Sequence, residues 1–188
     1  MVSRPLATLA YALLGLIQRA PLSGYALMKT FQTTPMRQYS GSPGAVYPAL
    51  RKLERGGLIR GVVERQRSLR PRRVYCLTSR GREALRRWLA PPVTVEDVAL
   101  RERELMLRFA LMDGVLPPSQ IDRFLTTMSE SLDGYATSIE PFLDARSMST
   151  HARLALESGL EGLRGRAAWA RRAEQQLRTT RRRGRKRS

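Results

Sequence analysis

Residues 40–59, SGSPGAVYPALRKLERGGLI, carry a face whose side chains are small at first and basic later. On a helical wheel Val46, Leu50 and Leu53 gather on one side, while Gly44, Ala45, Pro48, Arg51, Lys52 and Arg55 occupy the other. Small side chains let a helix backbone approach the floor of a groove, its N-terminal amides favour phosphate, and longer basic chains further along reach the strand edges. That chemistry is the reading of duplex DNA. Tyr47 stands at the flank of the wheel, where its ring can pack or its hydroxyl can meet a phosphate. A second cluster follows in RQRSLRPRR, residues 65–73, where Arg65, Arg67, Arg70, Arg72 and Arg73 share one turn. Five guanidiniums so close repel one another unless an anion neutralises them.

The elements that must present these residues can be read from periodicity. Leu6, Leu9, Leu13, Leu14, Leu16 and Ile17 fall at helical spacing until Pro21. Ser23 can cap a second helix carrying Tyr25, Leu27, Met28 and Phe31, which Thr33, Thr34 and Pro35 stop. In the third helix Ser42 fits the N-cap, Pro43 the first turn and Gly56-Gly57 the stop. Pro48 withholds the amide that would bond the Gly44 carbonyl. An interior proline costs about 3 kcal/mol, so its presence implies a short, slightly opened helix or a need specific to the site. LIRGVVERQ and RRVYCLT then read as a hairpin around Pro71, and Thr78 can cap a helix ending before Pro91-Pro92. Three helices followed by a hairpin is the order of a winged helix-turn-helix.

Beyond the double proline the pattern is purely helical. It predicts a helix over 100–112, a longer one from Pro118 carrying Phe124, Leu125, Met128, Leu132 and Ile139, and a last one from Thr150 to Leu177. The glycines Gly159, Gly162 and Gly165, three apart, suit close helix packing. The expected fold is therefore mainly α with a small β-hairpin: a winged helix-turn-helix over 1–90, a helical dimerisation and effector unit over 91–177, and a basic disordered tail, 178–188. Two long amphipathic helices leave an apolar face open, and a second copy of the chain is the simplest cover.

Charge divides the same way. The whole chain of 188 residues carries +18. Residues 1–90 hold 17 Lys+Arg against 3 Asp+Glu, a net of +14; residues 91–177 hold 10 against 13, a net of −3; residues 178–188 hold 7 against none. A polyanion suits the first part and has no electrostatic reason to touch the second. The longest apolar run, Leu6–Ile17, is too short to cross a bilayer and lacks the leading basic cluster of a signal peptide. One cysteine, Cys76, and one histidine, His151, exclude an intrachain disulfide and a cysteine/histidine zinc cluster, and a reducing cytoplasm fits. Cys76 reads as an inert strand thiol and His151 as a surface or capping residue. Trp88 and Trp169 suit core or interface packing, or else an aromatic effector pocket. An enzyme is disfavoured: there is no Gly-rich phosphate loop, the histidine has no evident nucleophile partner, and the carboxylates are scattered. No cofactor is implied. A sequence-blind nucleic-acid packaging protein, driven by the arginine tail, remains the rival class.

GYALMKTF, GSPGAVYPALRKLERGGLI and PRRVYCLTSRGREAL resemble, in order and at the right separations, successive blocks of the PadR family of bacterial transcriptional regulators. ERELMLRFAL and the tryptophan-bearing last helix resemble its helical half, so the resemblance covers residues 6–177. It implies a homodimer that binds double-stranded operator DNA, with C-terminal helices exchanging contacts between subunits, usually a repressor released by a small molecule. Here that effector would be hydrophobic or aromatic. Matching positions imply DNA contact by Ser42, Gly44, Tyr47 and Lys52 and by the wing arginines, among them Arg67, Arg70, Arg72 and Arg73. Ala45 and Arg51 join them on the wheel, Ala45 near the bases and Arg51 at a phosphate. The basic tail departs from the family pattern.

Overall fold

The computed structural model describes residues 6–39, 43–64, 71–144 and 147–185. The chain divides into two compact units, Met1–Leu89 and Ala90–Ser188.

The first unit runs α1 (Thr8–Arg19), β1 (Leu22–Ser23), α2 (Gly24–Thr33), a 3-10 turn (Pro35–Tyr39), α3 (Pro43–Arg55), β2 (Ile59–Glu64), β3 (Arg72–Leu77) and α4 (Ser79–Leu89). It is a winged helix-turn-helix. Leu13 and Ile17 of α1, Leu27 and Phe31 of α2, Val46, Leu50 and Leu53 of α3, Ile59, and Leu85 and Leu89 of α4 form its core. Each such side chain contributes about 1.5–3 kcal/mol when fully buried. The expected hairpin is part of a three-stranded antiparallel sheet in the order β1-β3-β2, in which Leu22 pairs with Tyr75 and Ile59 with Leu77. At two residues, β1 is too short to leave a period in the sequence.

Local chemistry sets the ends of these elements. Ser23 Oγ accepts from the Ala26 amide at 3.2 Å and starts α2. Gly57, at φ 66°, stops α3: the Leu58 amide bonds the Leu53 carbonyl and the Gly57 amide that of Glu54, both at 2.9 Å. Thr78 Oγ1 accepts from the Gly81 amide at 3.0 Å and itself donates to the Gly57 carbonyl at 2.7 Å, which ties the start of α4 to the end of α3.

The second unit comprises α5 (Val95–Leu100), α6 (Glu102–Ala110), α7 (Pro118–Ile139) and α8 (Thr150–Arg185). The helix expected over 100–112 is α6, and a short helix that was not expected, α5, precedes it: α5 meets α6 at Arg101 and is opened by a reciprocal cap between Thr94 and Asp97. α7 and α8 pack antiparallel through Leu125, Met128, Leu132 and Ala136 against Leu160, Leu163, Ala167 and Ala170. A polar ladder follows the seam: Asp122 with Arg178 and Arg181, Thr126 with Glu174, Asp133 with Arg171, and Glu140 with Arg164. The tail is not disordered from Leu177 onward, because α8 continues to Arg185 and Asp122 and Glu174 hold its Arg178 and Arg181. Nor does close packing explain the glycines within one chain, since a Cβ at Gly159 or Gly165 would meet nothing within 4 Å.

Arg108 is buried in this unit. Its Nη2 donates to the Ala90 carbonyl at 2.8 Å, its guanidinium lies over the Phe124 ring at 5.0 Å, and its Nε has no hydrogen-bond partner among the described residues. Burial pushes its pKa down, against the opposing pull of Asp97 and Glu104.

Candidate nucleic-acid interface

α3 turns its apolar side inward and its predicted face outward. Val46, Leu50 and Leu53 are buried; Gly44, Tyr47, Pro48, Arg51, Lys52 and Arg55 are exposed, and Ala45 is half-buried. The helix is continuous through Pro48. No carboxylate pairs with Arg51 or Lys52 among the described residues, so both cations are available to an anion. Ser42, Arg65, Arg67 and Arg70 lie outside the described residues.

Tyr47 is 40% exposed, and its ring edge lies over the N-terminus of α2. A Cβ at Gly24 would stand 2.7 Å from Tyr47 Cε1, closer than such atoms approach. Gly24 therefore provides the space in which the ring rests. Nothing in the helical wheel of α3 points to it.

The wing arginines divide. Arg72 Nε pairs with Glu64 at 2.6 Å across the ladder, and Arg73 Nη2 pairs with Glu54 of α3 at 2.7 Å. The same Glu54 oxygen accepts from the Gly61 amide at 2.9 Å, so one carboxylate joins α3, β2 and β3. Arg73 reaches it by lying across Gly61, where a Cβ would collide with the guanidinium. The Gly61 hydrogen bond, then Arg73, hold the Glu54 pKa below the ordinary carboxylate value against modest desolvation, while Glu54 raises that of Arg73. Arg73 is thus a strut between the β2–β3 hairpin and α3. Glu54 was missed in the sequence, although its signal was there: it is one of 3 acids among the first 90 residues.

The two tryptophans fall in separate units. Trp88 stacks on Tyr11 with ring centroids 4.4 Å apart, and Trp169 meets Phe109 edge-on at 5.4 Å. Cys76 is a half-buried free thiol and His151 is exposed. Among the described residues no group of His, Cys, Asp and Glu could hold a metal ion, and no helix is long and apolar enough to cross a membrane.

Residues 13–87 match the transcriptional regulator PadR-like family. The negative transcriptional regulator PadR of Bacillus subtilis is 33% identical over 93 residues, 47% of this chain and 51% of that protein, so the chain spans about half the length of the curated relative it matches. Among solved structures, Bacillus subtilis PadR in complex with operator DNA is 23% identical, over 93% of this chain and 99% of the other, with a TM-score of 0.44. The PadR-like regulator BC1756 of Bacillus cereus is 22% identical, over 94% and 99%, with a TM-score of 0.43.

Proposed function

We propose, from the match of residues 13–87 to the PadR-like family of transcriptional regulators, that the protein is a regulator rather than an enzyme, a homodimeric repressor that binds operator DNA in the cytoplasm. The observation that carries this is the outward face of α3, small at Gly44 and Ala45 and basic at Arg51 and Lys52. It stands in a segment of net +14. Gly44, Ala45, Tyr47 and Lys52 read bases near the groove floor, and Arg51 sits on phosphate. Repression is the role named for the Bacillus subtilis relative, and it is carried over on that likeness.

Dimerisation is supported by apolar surface that one chain leaves open in the helical unit: Leu154 is 57% and Phe142 60% exposed, and a Cβ at Gly159 or Gly165 of α8 would meet nothing within 4 Å. A two-fold dimer places its two α3 helices on half-sites about 10 base pairs apart or a multiple of that. Release by a small aromatic molecule would act through the helical unit, where Trp169 and Phe109 offer an aromatic edge. Lys52→Ala tests the recognition face. Loss of both affinity and preference for the operator is expected, and unchanged values for both would remove α3 from recognition.

A further inference from the structure

We propose that the outward side of α2, at Tyr25 and Lys29, is a second contact with the phosphates of the duplex that α3 is proposed to read. The proposal rests on that reading of α3 and lies wholly within the first compact unit. In the sequence Tyr25 falls in the apolar spacing of α2 with Leu27 and Phe31. The structure separates them: Leu27 and Phe31 are buried, whereas Tyr25 is 64% exposed. Lys29, four residues on and therefore on the same side of the helix, is exposed too. Among the described residues neither the Tyr25 hydroxyl nor the Lys29 ammonium has a hydrogen-bond or ion-pair partner. Core packing does not account for a ring so far out of the core, and helix propensity does not favour tyrosine at an exposed position.

Charge selects an anion as the ligand. The first carboxylate of the chain is Glu54, and residues 1–53 hold six Lys and Arg without one Asp or Glu. Position selects the duplex. Tyr47, on the outward face of α3, rests against Gly24, the neighbour of Tyr25: a Cβ at Gly24 would stand 2.7 Å from Tyr47 Cε1. The outward face of α3 and the start of α2 are therefore adjoining surfaces, and a strand flanking a groove that receives Gly44, Ala45 and Tyr47 passes Tyr25. The phenol offers that strand a neutral donor and the ammonium a compact charge. Bonds to phosphate oxygens set register and carry no sequence information.

The test uses the full-length protein with Tyr25→Phe and Lys29→Gln made singly, titrated across salt against its own upstream duplex and a shuffled duplex. The denaturant midpoint of Trp88 emission, in a Trp169→Phe background, reports whether the first unit is unaltered. Tyr25→Phe deletes one oxygen and no charge, so affinity for both duplexes should fall about tenfold with the log-log salt slope unchanged. Lys29→Gln should weaken both duplexes as well and make the slope shallower by about 1.8, from one contact of about 0.9 in each half of the proposed dimer. The native-to-shuffled ratio should hold in both variants. Unchanged affinity in either variant overturns the proposal. So does a fall confined to the native duplex, which makes the pair base readers, and so does a smaller mass in solution with DNA affinity intact, which assigns the pair to a protein contact. A wild-type protein that binds both duplexes equally sinks the operator function instead, while the two contacts are still read on the shuffled duplex.

Discussion

Arg51 on α3 and Arg73 on β3 are both exposed arginines, yet the structure gives them different electrostatic surroundings. Arg51 has no paired carboxylate among the described residues, whereas Arg73 already sits 2.7 Å from Glu54. An arginine that meets a phosphate releases a counterion; one that stays with its carboxylate releases none. On the proposed reading, with Arg51 on phosphate in each half of a dimer, Arg51→Gln removes two contacts, at about 0.9 in log-log salt slope each, so the slope should become shallower by about 1.8. Between 0.05 and 0.2 M salt this means that the variant loses about 12-fold less affinity than the wild type over the same interval. Arg73→Gln should leave the slope alone and weaken binding only by loosening the wing. Fluorescence anisotropy with the protein's own upstream duplex at four salt concentrations reads both numbers. Equal flattening of the slope by the two substitutions would refute the division of the arginines, and an unaltered slope for Arg51→Gln would refute its place on phosphate.

Three further outcomes follow from particular contacts. Gly81→Ala drives a Cβ into the Leu58 carbonyl and disturbs the Thr78 cap, so the first unit should lose about 2–4 kcal/mol, read from the denaturant midpoint of Trp88 emission in a Trp169→Phe background. Gly24→Ala should swing the exposed Tyr47 ring outward with little change in that midpoint, while operator affinity falls by about 1 kcal/mol and shuffled DNA is bound as before. Glu54, with its pKa lowered in the folded state, contributes stability that is complete at neutral pH; it is lost as pH falls from the ordinary carboxylate range through the lower folded value. Glu54→Gln should flatten that acid limb of the Trp88 midpoint, and an unchanged limb would place the titrating group elsewhere.

What was legible in the sequence depended on whether the causes were local. Val46, Leu50 and Leu53 announce the inner face of α3 because a core-facing helix must repeat its apolar positions. Ser23 and Thr78 announce helix starts because capping chemistry sits within three residues of its partner. The causes that escaped act over distance or against composition. β1 exists because Leu22 and Ser23 pair with Tyr75 and Val74, over 50 residues away in the chain. The end of α8 is helical because Asp122, 59 residues before Arg181, supplies the charge that the local sequence lacks. α5 escaped because six residues are too few to show a helical period, although the Thr94–Asp97 cap marked its start. In the candidate site, the wheel gave the exposed face of α3 but treated the wing arginines as equivalent, since only the fold brings Arg73 to Glu54.

The central claim is that the first unit reads a particular DNA sequence rather than charge alone. It is tested most directly by titrating the full-length protein with its own upstream duplex and a shuffled duplex of equal length, at low and physiological salt, with its mass in solution recorded. Specific recognition predicts a dimer that prefers the native duplex by about 1000-fold or more at the higher salt. Equal binding of both duplexes, fading together as salt rises, would contradict it and leave the +18 charge acting as a sequence-blind nucleic-acid binder.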